Sequence, residues 1–180
     1  MKIYAMRHGQ TDWNAKGRIQ GRTDIPLNET GRAQAEKAAI NLPENITVIF
    51  SSPLERAIET AEIINKRFNV EIVTEERLIE RNFGDYEGLS INRVDINSLR
   101  RWTDNAPTPG GETIHDVFLR ITDFLDRLKV EYCDQTVLIV SHGHVLRSII
   151  WYFNGLPEDG KEAVVETPNC GFYEFEYIPK

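Results

Sequence analysis

Ile3-Tyr4-Ala5-Met6-Arg7-His8-Gly9-Gln10-Thr11-Asp12-Trp13-Asn14 is the stretch from which the fold is read. The run Ile3–Met6 is short and apolar, as expected of a buried strand. An arginine, a histidine and a glycine leave its end together. In open α/β sheets, ligands bind outside the carboxyl ends of the strands. A cation beside an imidazole at such a point suits a phosphate ester. The arginine can grip two phosphate oxygens at once. The imidazole can attack phosphorus or move a proton. Gly9 is expected to let the backbone approach the ligand, and Thr11 and Asn14 to add neutral donors. A lone histidine after a strand is ordinarily packed or exposed without chemistry, so the weight falls on what recurs later.

Outward from this stretch, 15–28 is a polar loop containing Gly17, Gln20-Gly21-Arg22 and Pro26. Leu27–Leu42 reads as a helix capped by Asn28, with Ala33, Ala35, Ala38, Ala39 and Leu42 as its small-residue face. Thr47–Phe50 is a second buried strand, ending in Ser51-Ser52-Pro53. The next helix is expected to take Ser52 as N-cap, Pro53 as first helical residue and Glu55 as the third member of a capping box. Arg56 then lies in its first turn, where unpaired backbone N–H groups favour anions. Val70–Val73 is a third strand, Glu76–Gly88 a loop, Ser90–Trp102 a short helix and Asn105–Gly111 irregular. The longest helix starts at Thr113, boxed by Asp116, with Ile114, Val117, Phe118, Ile121, Phe124, Leu125 and Leu128 as its core stripe. Thr136–Val140 is the most hydrophobic strand and runs into Ser141-His142-Gly143-His144. Val145–Phe153 is helical and Gly155 ends it. Phe172–Tyr177 alternates, with Glu174 and Glu176 outward, as an edge strand does.

Alternation of strand and helix gives a mostly parallel sheet with helices on both faces. The expectation is an α/β chain forming one domain over 1–180, with 83–111 as a cap insert and one edge strand antiparallel. A chain of 180 residues is long enough to bury a core without staples. Its net charge of -7 argues against nucleic-acid or membrane-surface partners, so any positive pocket must be local. Cys133 and Cys170 lack metal-ligand spacing and read as reduced thiols. No signal-peptide pattern or membrane-length apolar run is seen, and the expectation is a soluble cytoplasmic protein.

Three strands thus end in reactive or anion-binding residues: Arg7-His8-Gly9, Ser52-Pro53-x-x-Arg56 and Ser141-His142-Gly143. In a parallel sheet these ends share one edge. Together with Gln20-Gly21-Arg22-x-Asp24-x-Pro26-Leu27, Leu78-x-Glu80, Phe83-Gly84-x-Tyr86-Glu87-Gly88 and Gly110-Gly111-Glu112-Thr113, they resemble the histidine phosphatase superfamily, its phosphoglycerate-mutase-like branch. The resemblance spans nearly the whole chain in the expected order. It implies a three-layer α/β/α sandwich. By position it implies that His8 is the nucleophile that becomes phosphohistidine, and that Arg7, Arg56 and His142 hold the phosphoryl group. Glu80 is implied as proton donor, and Asn14, Gln20 and Gly21 as substrate and phosphate contacts. Thr11 and Gly143 fall inside the same motifs.

This chemistry is consistent on its own terms. Phosphoryl transfer needs charge on the equatorial oxygens and in-line geometry, which Arg7, Arg56 and a protonated His142 supply without metal or other cofactor. The attacking nitrogen of His8 must be unprotonated, so the other is expected to donate to a backbone carbonyl. Glu80 gives a proton in the first step and activates water in the second. Against this stand plainer readings. Glu75-Glu76-Arg77 and Glu80-Arg81 suit a solvated charged run, with Asp85 and Glu87 as alternative acids. His142-x-His144 with His8 can ligate metal. His115 is expected to be exposed, and Trp13, Trp102 and Arg100-Arg101 to be surface or pocket-mouth residues.

Within the resemblance, mutases carry longer inserts between the Glu80 motif and the last Ser-His-Gly, and this chain lacks them. A phosphomonoesterase acting on a small phosphate ester is therefore favoured over mutase-type transfer. A metal-dependent phosphoesterase and a non-catalytic phosphate-binding module are the readings from other classes. The Phe83–Gly88 stretch resembles α-ribazole and broad-specificity phosphatases, and Phe83–Gly111 is expected to set the alcohol half.

Overall fold

The computed structural model describes residues 1–157 and 166–177. Five strands form one sheet: β1 (Lys2–Arg7), β2 (Val48–Ser51), β3 (Glu71–Thr74), β4 (Thr136–Ser141) and β5 (Phe172–Glu176), in the order β3-β2-β4-β1-β5. The first four run parallel, and β5 pairs antiparallel with β1 at the edge. Its Glu174 and Glu176 are exposed, as the alternation predicts. Arg7 pairs with Ser141, and Ser51 with Val140. The carboxyl ends of β1, β2 and β4 therefore stand side by side.

The helices are α1 (Asp12–Ala15), α2 (Glu29–Asn41), α3 (Glu55–Phe68), α4 (Ile96–Arg100), α5 (Ile114–Glu131) and α6 (Gly143–Asn154). Successive strand residues face opposite sides, and both sides are covered. Tyr4, Met6, Ile49, Leu138 and Val140 pack with Ala38, Ala39, Ala57, Ala61 and Ile64 of α2 and α3. Ile3, Ala5, Phe50, Val137 and Ile139 pack with Val117, Ile121, Leu125, Val145 and Ile149 of α5 and α6. This is the three-layer α/β/α sandwich. None of the described helices is long and apolar enough to cross a membrane.

Several local expectations are corrected. α3 starts at Glu55 with Leu54 as an N-cap that makes no side-chain bond. Ser52 lies too far before the helix to cap it; its Oγ accepts from Leu54 N at 3.3 Å and lies 2.7 Å from His142 Nε2. Ala33 is exposed, and the buried face of α2 is Gly31, Ala35, Ala38 and Ala39. Residues 12–15 form one helical turn, because Thr11 and Asn14 close a capping box on each other. The expected 90–102 helix splits into a 3₁₀ turn at Ile91–Arg93 and α4. The Thr113–Asp116 box does open α5, but Phe118 is only half-buried, against Trp102. His115 is half-buried as well. Its ring lies 3.9 Å from that of Trp102, and its Nε2 lies 3.0 Å from the Trp102 carbonyl. Both cysteines are free, Cys133 exposed and Cys170 half-buried.

Residues 83–111 pack through Phe83 and Leu99 on Ile19 of the 16–28 loop. Arg81 pins them. Its fully buried guanidinium donates to the carbonyls of Glu112 at 2.8 Å, Ala106 at 2.7 Å and Leu99.

Candidate active site

The strand ends open into a cleft of about 250 Å³ lined by Arg7, His8, Arg56 and Glu80 among others. His8 follows β1 and is buried. Its Nδ1 lies 2.7 Å from its neighbour's carbonyl, Gly9 O. A carbonyl only accepts, so Nδ1 carries the ring proton and Nε2 keeps a free lone pair. Burial, then the positive charges of Arg56 and Arg7, hold the His8 pKa well below 6.5. The imidazole is neutral at pH 7, as a nucleophile must be. The 8–9 turn is fixed by Gly9 N donating to Thr60 Oγ1 at 3.0 Å, and Thr60 in turn donates to Arg56 O at 2.6 Å.

Two guanidiniums flank this imidazole. Arg7 donates to Thr167 O at 2.7 Å, and Arg56 to Gly21 O at 2.7 Å and Thr23 O at 2.9 Å. Carbonyls thus aim both groups without neutralising them. The Nε of each is buried with no partner among the described residues. Burial pushes the pKa of Arg56 down to about 10, so it stays charged at neutral pH. His142 lies behind His8, ring centroids 5.1 Å apart. Its Nε2 is engaged by Ser52, and its Nδ1 is buried without a partner among the described residues. Burial, with Arg56 and Arg7, holds His142 well below 6.5. The transfer chemistry calls for a protonated His142, whereas desolvation beside two guanidiniums favours its neutral form in the open cleft.

Glu80 closes the opposite wall and is 8% exposed. Its Oε1 accepts from Arg81 N at 2.9 Å and His144 N at 3.3 Å. That anchors one carboxyl oxygen, Oε1. The alternative acids are placed elsewhere. Asp85 is exposed, and Glu87 accepts from Arg22 N, Thr23 N and Phe83 N at 2.9, 2.8 and 3.1 Å. His142 and His144 turn to different partners, Ser52 and the Glu80–Phe83 wall. The described residues contain no group of three or more His, Cys, Asp or Glu arranged to hold a metal ion.

The histidine phosphatase superfamily, branch 1, matches residues 3–180. The chain belongs to this superfamily. Among its relatives is the uncharacterized phosphatase PhoE of Bacillus subtilis, 36% identical over 154 residues, 85% of this chain and 77% of that one. A 2,3-bisphosphoglycerate-dependent phosphoglycerate mutase of Cytophaga hutchinsonii is 34% identical over 186 residues, 96% of this chain and 87% of that one. Among solved structures, the Entamoeba histolytica phosphoserine phosphatase in complex with 3-phosphoglyceric acid superposes with a TM-score of 0.85. It is 30% identical and covers 97% of this chain and 90% of that one.

Against this superfamily background, most residues singled out in the sequence meet at the cleft. Asn14, Gln20, Gly21 and Gly143 line it with the charged groups. Gln20 Oε1 accepts from Thr11 Oγ1 at 2.8 Å, so its amide N–H₂ is the end left for a ligand. Asn14 Oδ1 accepts from Thr11 N at 3.1 Å and Asn169 Nδ2 at 3.2 Å, with the same consequence. Thr11 itself is fully buried and does not reach the cleft, because its hydroxyl caps α1. Gly9 also serves packing: a Cβ there would stand 2.5 Å from Gly31 O.

The sequence reading missed Thr167, Asn169, Arg18 and Arg147, all of which line the cleft. Asn169 Nδ2 donates to His8 O at 2.9 Å. A signal existed for it: an antiparallel strand beside β1 starts at the edge where the parallel strands end, so the loop entering β5 must pass the site. Arg147 follows Gly143 by four residues, one helical turn along the same face. Of the pocket-mouth candidates, Arg100 lines the cleft, whereas Arg101 pairs with Asp104 at 2.7 Å. Trp102 packs on His115, Phe118 and Trp151, and Trp13 lies beside Gly88.

Proposed function

We propose that this chain is a phosphomonoesterase that hydrolyses a small phosphorylated metabolite through a phosphohistidine on His8. The observation that carries this is the locked tautomer of His8, a neutral imidazole with Nε2 free between two guanidiniums. Nε2 attacks phosphorus in line as the ester P–O bond breaks, and the leaving oxygen takes a proton from Glu80. Glu80 then accepts a proton from water, whose oxygen attacks phosphorus and releases phosphate and neutral His8. Arg7 and Arg56 stabilise the equatorial oxygens, each such group being worth on the order of 3 kcal/mol of barrier. Asn14, Gln20, Gly21 and Gly143 complete the phosphate contacts, while Thr11 supports them through Gln20 and Asn14. Residues 83–111 act as the cap over the alcohol half, and the protein works in the cytoplasm.

The similarity to a phosphoglycerate mutase keeps one second reading open, in which the phosphoryl group returns to the product. Phosphate release from a panel of phosphomonoesters, with and without a strong chelator, separates the readings. Hydrolysis that survives the chelator supports the proposal. Isomerisation of 3-phosphoglycerate without net phosphate release supports the mutase. Loss of all activity with the chelator supports a metal-dependent enzyme.

A further inference from the structure

Glu87 takes no part in the hydrolytic steps, yet both oxygens of its carboxylate are filled with donors. Oε1 accepts from Arg22 N at 2.9 Å and Phe83 N at 3.1 Å. Oε2 accepts from Thr23 N at 2.8 Å and Thr23 Oγ1 at 2.5 Å. Most of these bonds leave its own segment for residues 22 and 23. The same stretch supplies the two carbonyls that receive Arg56, Gly21 O at 2.7 Å and Thr23 O at 2.9 Å. The N–H of Arg22 and the carbonyl of Gly21 belong to one rigid peptide plane. The carboxylate therefore grips one edge of the plane whose other edge receives Arg56. Fixing the first edge fixes the direction of the second, and bonds in such a chain polarise one another. Gly21 permits the close approach. It has a φ of 54°, and a Cβ there would stand 2.0 Å from Glu87 Oε1. Contact through a peptide also has an electrostatic merit. A carboxylate paired directly with Arg56 would compensate its charge, whereas one acting through the backbone sets its direction and leaves the charge for an anion.

We propose that Glu87 is the positioning residue of Arg56: by holding the 21–23 backbone it sets the guanidinium against the phosphoryl group on His8. This inference rests on the phosphomonoesterase reading for its reaction. Glu87 thereby ties the 83–111 segment to the phosphate end of the cleft.

A double-mutant cycle tests it, with p-nitrophenyl phosphate as substrate and wild type, Glu87→Gln, Arg56→Lys and the double variant as enzymes. Glutamine keeps the shape of the side chain but turns an N–H₂ group against backbone N–H groups. Lysine keeps a charge but has no planar fork to span two carbonyls. Glu87→Gln is expected to lower kcat about tenfold beside Arg56, and by less than about twofold in the Arg56→Lys background. The same factor in both backgrounds would overturn the proposal and leave Glu87 a structural tie. Thr23→Val removes only the hydroxyl bond to Oε2, and is expected to repeat the pattern with a loss of about threefold. It takes the place of Glu87→Gln if that variant fails to fold, as Arg56→Ala does for Arg56→Lys, and an uncoupled loss contradicts the proposal there too. If wild type releases no nitrophenol, it is the phosphomonoesterase reading that fails. The cycle is then read by calorimetric affinity for inorganic phosphate. Glu87→Gln is expected to weaken that binding about tenfold beside Arg56 and hardly at all without it. Equal weakening in both backgrounds contradicts the positioning role.

Discussion

The two ends of the cleft are built differently. The phosphate end stands on three parallel strands whose ladder continues to the reactive residues themselves, with His8 N donating to Ser141 O at 2.9 Å and Ser52 N to Val140 O at 3.1 Å. The other side of the cleft, where the proposed function puts the alcohol half, stands on irregular backbone, residues 83–111, held by the buried Arg81, by Glu87 on Arg22 N and Thr23 N, by backbone bonds to Gly17 and Ile19, and by the cluster of Phe83, Leu99 and Ile19. Regular elements fix a constellation to the tolerance that in-line displacement needs. Side chains on irregular backbone outside the sheet can vary without displacing residues that the strand ends carry. Under the proposed function, and apart from the tie at Glu87, the difference separates chemistry from specificity within one cavity.

Substitutions at the two ends sharpen that separation. Glu80→Gln removes the proton donor and is expected to slow alkyl phosphates by about 10²–10⁴. Nitrophenyl phosphate, whose leaving group needs no proton, is expected to lose far less; steady-state rates on the two substrates show this. Equal losses would mean that Glu80 is not the acid. At the other end, Arg81→Met removes three buried bonds to carbonyls at roughly 1 kcal/mol each, so a loss of about 3 kcal/mol is expected in denaturant unfolding. Its kinetic signature is a raised KM for alkyl esters with the nitrophenyl rate largely kept. Loss of the nitrophenyl rate as well would mean that the two ends are not separable.

Gly9→Ala probes the phosphate end by packing alone. The new Cβ stands 2.5 Å from a backbone oxygen of Gly31, which cannot swing aside. Overpacking of this kind is expected to cost about 2 kcal/mol, and His8 shifts with it, so stability and turnover fall together. The last effect is electrostatic, and for a single histidine it is the smallest. His8, His142 and His144 have folded pKa values well below the ordinary 6.5. Between those values and 6.5 the unfolded chain binds more protons, so stability is full above about pH 6.5 and declines as pH falls below it. The slope is up to about 1.4 kcal/mol per pH unit for each histidine. Thermal unfolding across pH measures it, and His144→Gln should make it shallower by about a third.

The same contrast explains what could be read from the sequence. Strand ends announce themselves by apolar runs, and a parallel sheet gathers their ends at one edge. Arg7, His8, Arg56 and His142 were therefore legible as a group, and α5 was legible through its stripe and capping box. Glu80 emerged only through resemblance, since its position depends on Arg81 and His144 N–H groups far apart in the chain. Asn169 and Thr167 were missed because an irregular loop carries no period. Thr11 was given a ligand-facing role because a hydroxyl in a motif looks the same whether it meets a ligand or caps a helical turn. The neutrality of His142 follows from desolvation, which composition does not reveal.

The most direct test is to mix the protein with a ³²P-labelled phosphomonoester that it hydrolyses, quench rapidly in alkali, and look for label on the protein. The account predicts an acid-labile, base-stable phosphohistidine on the peptide containing His8, absent in His8→Ala together with turnover. Wild-type turnover in His8→Ala, or label on another residue, would contradict it.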